Sequence, residues 1–346
     1  MKVLYLFSSY RGEVLEKARR GDDHGNGFWG MLKLPNHGVE AWYAEPEQFY
    51  PKTVSEFFRR HLGVYWLHLS VFLKFFSYDY IFTSTAFGTQ LVHTILHIRK
   101  PKWVMHDFSI TGLIGNQKTV RQKIFAWMTS RCAGIVTLGV EEKEKLEKIF
   151  PHLKGKIEFV PFGVDADFFK PMDVEQDGKI FAVGFDPDRD WRTLFEAVEG
   201  INANVVVATR QSRVEKLAIP NNVTIAQFTP RELAKEYAKS AVVVIPMDTS
   251  KGTNDAMGCS TLFEGMASGK AVIATNTHTM ASYIKDGENG LLVPERNPEA
   301  LQGALERLLK DPELRGRLGK NARAYAESYL DADKLAGKLA DFFRRL

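Results

Sequence analysis

Cysteine is scarce in this chain of 346 residues: there are two, Cys132 and Cys259, on different predicted elements. A reducing compartment is therefore expected, without a disulfide framework. No Cys/His spacing suggests zinc. No apolar run reaches the roughly 20 residues that a membrane-spanning helix needs. The longest candidate, Val64 to Phe76, is broken by His68, Ser70 and Lys74. Val3 to Phe7 is too short to be the apolar core of a signal peptide. There is no short-period repeat and no low-complexity tract, which leaves ordinary globular domains.

What is present is balanced in composition and uneven in charge. The chain is 45% hydrophobic and 25% charged, and its length suits two domains. The net charge of +4 is not spread evenly. Residues 1–170 hold 23 basic and 17 acidic residues, and residues 51–131 hold 11 basic against 3 acidic. The N-terminal half is thus suited to meet something anionic.

Residues 252–269, Gly-Thr-Asn-Asp-Ala-Met-Gly-Cys-Ser-Thr-Leu-Phe-Glu-Gly-Met-Ala-Ser-Gly, organise the rest. The apolar run Ala241-Val-Val-Val-Ile245 before them reads as a buried parallel strand ended by Pro246. A loop of small residues leads to a helix that Ser260 is placed to cap. Gly269 closes the helix and Ala271-Val-Ile-Ala274 is the next strand. A helix N-terminus gathers unpaired N–H groups and the positive end of the dipole, so it suits a phosphate. Glu264 falls off the apolar face set by Leu262, Phe263, Met266 and Ala267, and spacing alone makes it a solvated carboxylate.

In chain order, residues 2–7 read as a first strand, 8–27 as a polar loop with Gly12, 28–34 as the first helix and 39–43 as the second strand. This is a Rossmann-like start without a Gly-x-Gly-x-x-Gly after the strand, so no dinucleotide site is expected. Residues 57–76 and 118–131 are basic and aromatic. Each is either a helix packed on the sheet or an amphipathic surface for an anionic membrane. Tyr80 to Thr83 and Trp103 to Met105 are strands, and the second runs into His106-Asp107. Ligands of open parallel sheets bind beyond strand carboxyl ends, where this His stands; a His-Asp turn capping a helix is the alternative. Asp107 is placed to orient the imidazole. Residues 134–138 and 156–160 are further strands, with a solvated Glu/Lys helix between them at 141–150. In the second half, residues 180–183, 205–208 and 223–228 are strands. Residues 298–309, 312–330 and 332–346 are helical.

The run from Cys259 to Thr275, continued by Tyr283-Ile-Lys-Asp-Gly-Glu-Asn-Gly-Leu-Leu-Val-Pro294, resembles the nucleotide-sugar motif of GT4-type (group 1) retaining glycosyltransferases of the GT-B fold. Gly163-Val-Asp165 with Phe168-Phe-Lys-Pro171 is similar to that family's inter-domain linker. The resemblance is specific over residues 184–294 and weak before His106.

It implies an α/β chain of two Rossmann-like doubly wound parallel-sheet domains facing across a cleft. They would be residues 1–170 on the acceptor side, with a returning C-terminal helix 332–346, and residues 171–331 on the nucleotide-sugar side. It implies that Glu264 holds the donor ribose and that His106 reaches the hexose and the catalytic centre. Arg189 would meet the donor diphosphate, the first-loop backbone at Gly12 would face the diphosphate or be a plain turn, and Phe228 would lie beside the base or pack in the core. Gly258, Cys259, Ser260 and Thr261 would line the donor. The family's first Glu is replaced by Ala256, for which either Asn254 or Asp255 substitutes or the backbone amides around Met257 to Cys259 suffice, and Phe185 stands where the family has Arg. Arg210 is either aimed at the same place or solvent-exposed, and Arg192 is a surface residue.

The function so implied is transfer of a hexose from a nucleotide diphosphate sugar, UDP favoured over GDP, with retention and without a metal or other cofactor. The acceptor is a hydroxyl of a lipid-linked or glycan molecule. The alternatives are a small-molecule (natural-product) glycosyltransferase, a nucleotide-sugar epimerase on the same fold and an inactive nucleotide-sugar-binding subunit. No nucleic-acid partner is expected. The expected location is cytoplasmic, with a peripheral place on the inner face of the membrane through the basic aromatic segments.

Overall fold

Short runs of β-branched and aromatic residues form two sheets. In the first, β1 (Lys2–Leu6), β2 (Glu40–Ala44), β3 (Tyr80–Thr83), β4 (Lys102–His106), β5 (Gly134–Thr137) and β6 (Ile157–Phe159) lie in the order β2-β1-β3-β4-β5-β6. In the second, β7 (Ile180–Val183), β8 (Val205–Ala208), β9 (Val223–Ala226), β10 (Val242–Ile245), β11 (Ala271–Thr275) and β12 (Leu291–Val293) lie in the order β12-β11-β10-β7-β8-β9. All pairings in both sheets are parallel. Parallel sheets are covered on both faces, which is why strands such as Val242–Ile245 are apolar throughout and wholly buried. The structure is a computed structural model that describes residues 1–61, 66, 68–106, 110–250 and 257–346.

The chain divides into two compact units. One comprises Met1–Lys17, Gly27–Pro161 and Leu335–Leu346; the other comprises Ala18–Asn26 and Phe162–Lys334. The change of unit at Pro161 comes earlier than the boundary expected near Lys170. The short segment Ala18–Asn26 counts with the second unit. In the first unit the C-terminal helix Ala332–Arg345 contributes Leu335, Leu339, Phe342 and Phe343 to one side of the core. Burying each such side chain is worth about 1.5–3 kcal/mol.

The second sheet reverses strand order between β7 and β10. In an open doubly wound sheet that reversal leaves a crevice beyond the strand carboxyl ends, the place where such folds take ligands.

Several local expectations are corrected. Residues 8–27 are not one loop: Gly12–Arg19 is a helix. It buries only Leu15, so it has no apolar stripe for a sequence to show. Residues 28–34 do not form the first helix. Short 3-10 turns at Asn26–Phe28 and Leu34–His37 replace it, because Trp29 and Gly30 have φ of 50° and 78°. The helix Val140–Ile149 carries the expected solvated Glu141–Lys145 pair at 2.8 Å. Glu142, by contrast, is buried and accepts from Thr111 N and Oγ1 at 2.9 and 2.7 Å.

Candidate functional site

The helix Cys259–Ala267 starts beside the reversal point. Its N-cap is Gly258, not Ser260; Ser260 is exposed one residue inside the helix. Gly258 has φ 78°, and a Cβ there would meet Met280 Cε at 2.8 Å. Both facts require glycine, whose backbone turns into the positive end of the helix.

Arg189 comes to the same helix end from the loop after β7. It is 8% exposed, its Nε donates to Asp186 Oδ2 at 2.9 Å, and its Nη2 donates to Thr261 Oγ1 at 3.0 Å. Among the described residues Nη1 has no hydrogen-bond partner. Thr261 in turn donates to Val183 O, the last carbonyl of β7, at 3.3 Å. A Cβ at Gly184 would collide with the Arg189 side chain, so that glycine is what lets the arginine lie across the strand end. A buried guanidinium beside the positive end of a helix is a place for a diphosphate.

One turn further in, Glu264 is 6% exposed. The solvated carboxylate expected from spacing is thus overturned: this helix buries every side apart from Ser260, including Thr261, Glu264 and Met266. Tyr237 Oη, from the helix Pro230–Lys239, donates to Glu264 Oε2 at 2.9 Å. Burial pushes the Glu264 carboxyl up, while His24, the Tyr237 hydroxyl and Arg189 pull it down. Tyr237 and His24 are residues that the sequence does not single out. A tyrosine in an amphipathic helix reads as core, and His24 lies in a stretch that reads as a polar loop. His24 packs on Phe169, ring centroids 5.3 Å apart, and Phe169 packs on Tyr237 at 5.8 Å.

Phe228 is half-buried and meets the Phe181 ring at 6.2 Å. Phe185 is 40% exposed, and the Arg210 guanidinium stands 5.9 Å from its ring centroid. Arg210 is exposed and still returns a positive charge to the strand end where Phe185 replaces arginine. Two Asp-x-Asp spacings lie here, Asp186-Pro-Asp188 and Asp188-Arg-Asp190, and the outer carboxylates of the pair are tied locally. Asp186 pairs with Arg189, and Asp190 caps the helix Trp191–Val198 through Thr193.

Two residues of the expected site belong to the first unit. His106 ends β4, is 4% exposed and lies between the Trp29 and Phe82 rings at 4.7 and 5.0 Å. Burial pushes its imidazole down to about 3, so it is neutral. Gly12 opens a helix beside the Glu45 carboxylate, which accepts from Arg11 N. Asn254, Asp255, Ala256 and Asp107 lie outside the described residues.

Residues 192–325 match the family model of the glycosyl transferases group 1. The chain is 24% identical over 261 residues to an uncharacterized glycosyltransferase of Methanocaldococcus jannaschii, covering 72% of this chain and 71% of that one. It is 34% identical over 139 residues to a D-inositol 3-phosphate glycosyltransferase of Streptomyces bingchenggensis, which is 39% of this chain and 29% of the relative's length. Among solved structures, Anabaena HepE in complex with UDP-glucose superposes over 100% of both chains with a TM-score of 0.72 at 14% identity.

Proposed function

We propose that this glycosyltransferase, a GT4-like chain of the GT-B fold, moves a hexose from a nucleotide diphosphate sugar with retention and without a metal. The observation that carries the reading is the cluster of Arg189, Thr261, Glu264 and Tyr237 at the Gly258 turn into the helix Cys259–Ala267. Tyr237 occupies Glu264 Oε2 and leaves Oε1 for the ribose hydroxyls. Arg189 Nη1 and the first-turn amides of Gly258, Cys259, Ser260 and Thr261 take the diphosphate charge. Phe228 lies beside the base. The favoured donor is a UDP-sugar, the ligand class named for the Anabaena structure.

In the transfer, the bond from the anomeric carbon to the diphosphate breaks and its electron pair leaves on the phosphate oxygen. The carbon passes through an oxocarbenium-like state. The acceptor oxygen bonds to the same face, and its proton goes to the departing diphosphate. Negative charge grows on the leaving group, so fixed donors aimed there lower the barrier; removal of one such donor typically costs about 10²–10³ in rate. His106 serves as a neutral hydrogen-bonding group, since burial prevents it from carrying charge. The acceptor hydroxyl belongs to a lipid-linked or glycan molecule.

A screen of UDP-, GDP-, ADP- and TDP-sugars without acceptor tests this, read as thermal shift and slow release of free nucleotide. One donor that both stabilises the protein and is hydrolysed is the expected result. Stabilisation without hydrolysis by any donor favours the inactive binding subunit, and no binding at all removes the donor site.

A further inference from the structure

One face of the first unit takes no part in this chemistry. It is built from the 3-10 segment Leu69–Ser77 and the helices Phe87–Ile95 and Val120–Ser130, each in contact with its neighbour. Their inner sides are core: Phe72, Phe75, Phe87 and Phe125 are buried, and the Phe87 and Phe125 rings meet at 5.0 Å. Their outer sides are apolar too. Leu73 is 83% exposed, Val120 75% and Ile95 54%, and Phe76, Ile124 and Trp127 are also exposed. A surface helix of a water-facing domain normally turns polar residues outward. Isolated exposed apolar residues are ordinary, but a cluster across adjacent elements marks an interaction surface.

The charges on this face are of one sign. None of the three elements contains Asp or Glu. Lys74, Arg121 and Lys123 are exposed, and among the described residues none of them is in an ion pair. Lys74 lies 4.8 Å from the Phe49 ring centroid and Arg121 lies 5.7 Å from that of Phe125, so the cations sit among aromatic rings.

We propose that this face docks on an anionic lipid bilayer. Leu73, Phe76, Val120, Ile124 and Trp127 enter the headgroup boundary, and Lys74, Arg121 and Lys123 meet the lipid phosphates. The occupant follows from charge and chemistry. A second copy of this chain would bring the same cations face to face, which is repulsive. A bilayer needs neither a matching pocket nor matched hydrogen-bond partners, and it supplies the anions. The inference is independent of the donor assignment, since every residue that carries it lies in the first unit.

The test is co-sedimentation of the full chain with two vesicle preparations. One is phosphatidylcholine alone; the other contains about a third phosphatidylglycerol, enough for the surface potential that attracts basic segments. The protein is expected to pellet with the anionic vesicles, to stay in solution with the neutral ones and to be released by salt. Lys74→Gln, Arg121→Gln and Lys123→Gln should each weaken binding about fivefold. The double variant Leu73→Glu/Val120→Glu should abolish it while leaving acceptor-free donor hydrolysis and the melting temperature unchanged. Failure to pellet with either vesicle overturns the proposal, as does equal binding to both. Light scattering that shows a dimer which Leu73→Glu dissolves would assign the face to a second copy and overturn it as well. Loss of donor hydrolysis in the wild type would leave the vesicle result standing, so the two readings fail separately.

Discussion

The two units are built alike, each around a six-stranded parallel sheet, and they differ in what they leave outward. In the second unit ionisable groups gather beneath a helix start, where Arg189 donates to Thr261 and Tyr237 donates to Glu264. Its exposed large apolar side chains, among the described residues, are Phe185 and Tyr329. The first unit buries imidazoles singly among aromatic rings, as at His106, and sets apolar and basic residues outward together. A parallel sheet dictates apolar strands in both cases, so the fold alone does not assign roles. The loops and helix ends beyond the strands do. One unit collects groups suited to a charged small molecule, and the other presents a surface suited to something large and anionic.

The largest effect that would break this contrast is on Glu264. Glu264→Gln keeps the shape and can still accept from Tyr237, but it loses the charge. Hydrogen bonds to a charged group are worth about 1.5–3 kcal/mol. Nucleotide affinity by calorimetry, and kcat/KM with it, should fall roughly ten- to a hundredfold with little change in melting temperature. A fully active variant would move donor binding out of the second unit.

Acid should separate the units next. Burial depresses His106 to about 3 and His68 to about 4 from the ordinary imidazole value of 6.5, and it lowers His93 as well. A depressed folded value means that the stability is present above 6.5 and is lost as pH falls toward 4. The limit is about 1.4 kcal/mol per pH unit for each group. The Glu264 carboxyl is raised, so its contribution has the opposite sense: present at low pH and lost as pH rises through its folded value. The first unit should therefore lose urea stability first between about pH 6.5 and 4, and His106→Gln should flatten that slope. An unchanged slope would mean that His106 is not held neutral.

The smallest effect sharpens the role of Tyr237. Tyr237→Phe removes one hydrogen bond, worth about 0.5–1.5 kcal/mol, and should weaken nucleotide binding by no more than about tenfold. The hydroxyl pulls the Glu264 carboxyl down, so its removal should shift the pH midpoint of nucleotide affinity upward. A purely packing role would lower stability and leave that midpoint where it was.

Much of the second unit was legible because its signals are local. Val242–Ile245 is a buried strand in any register, and Gly269, at φ 69°, is needed where the helix closes. Ser260 failed as a cap because Gly258, with φ 78°, turns the chain one residue before the helix begins. The first unit was less legible. Gly12–Arg19 has one buried residue and so no period, while the apolar run at 28–34 has a helix composition that the positive φ values of Trp29 and Gly30 forbid.

The sequence by itself determined most of the strands and the glycine-bearing helix start, since strand burial and backbone steric limits act over a few residues. It also carried the resemblance on which Glu264, Arg189 and His106 were chosen. Only the tertiary structure decided that Glu264 is buried, because its helix is packed against β10, β11, the helices Pro230–Lys239 and Pro312–Tyr325 and the segment Ala326–Leu330. It alone set Arg189 between Asp186 and Thr261, and Tyr237 on Glu264. Helical and strand periods report one face of one element. A hydrogen bond between residues 27 or 72 positions apart depends on how several elements pack, and no period in the sequence records that.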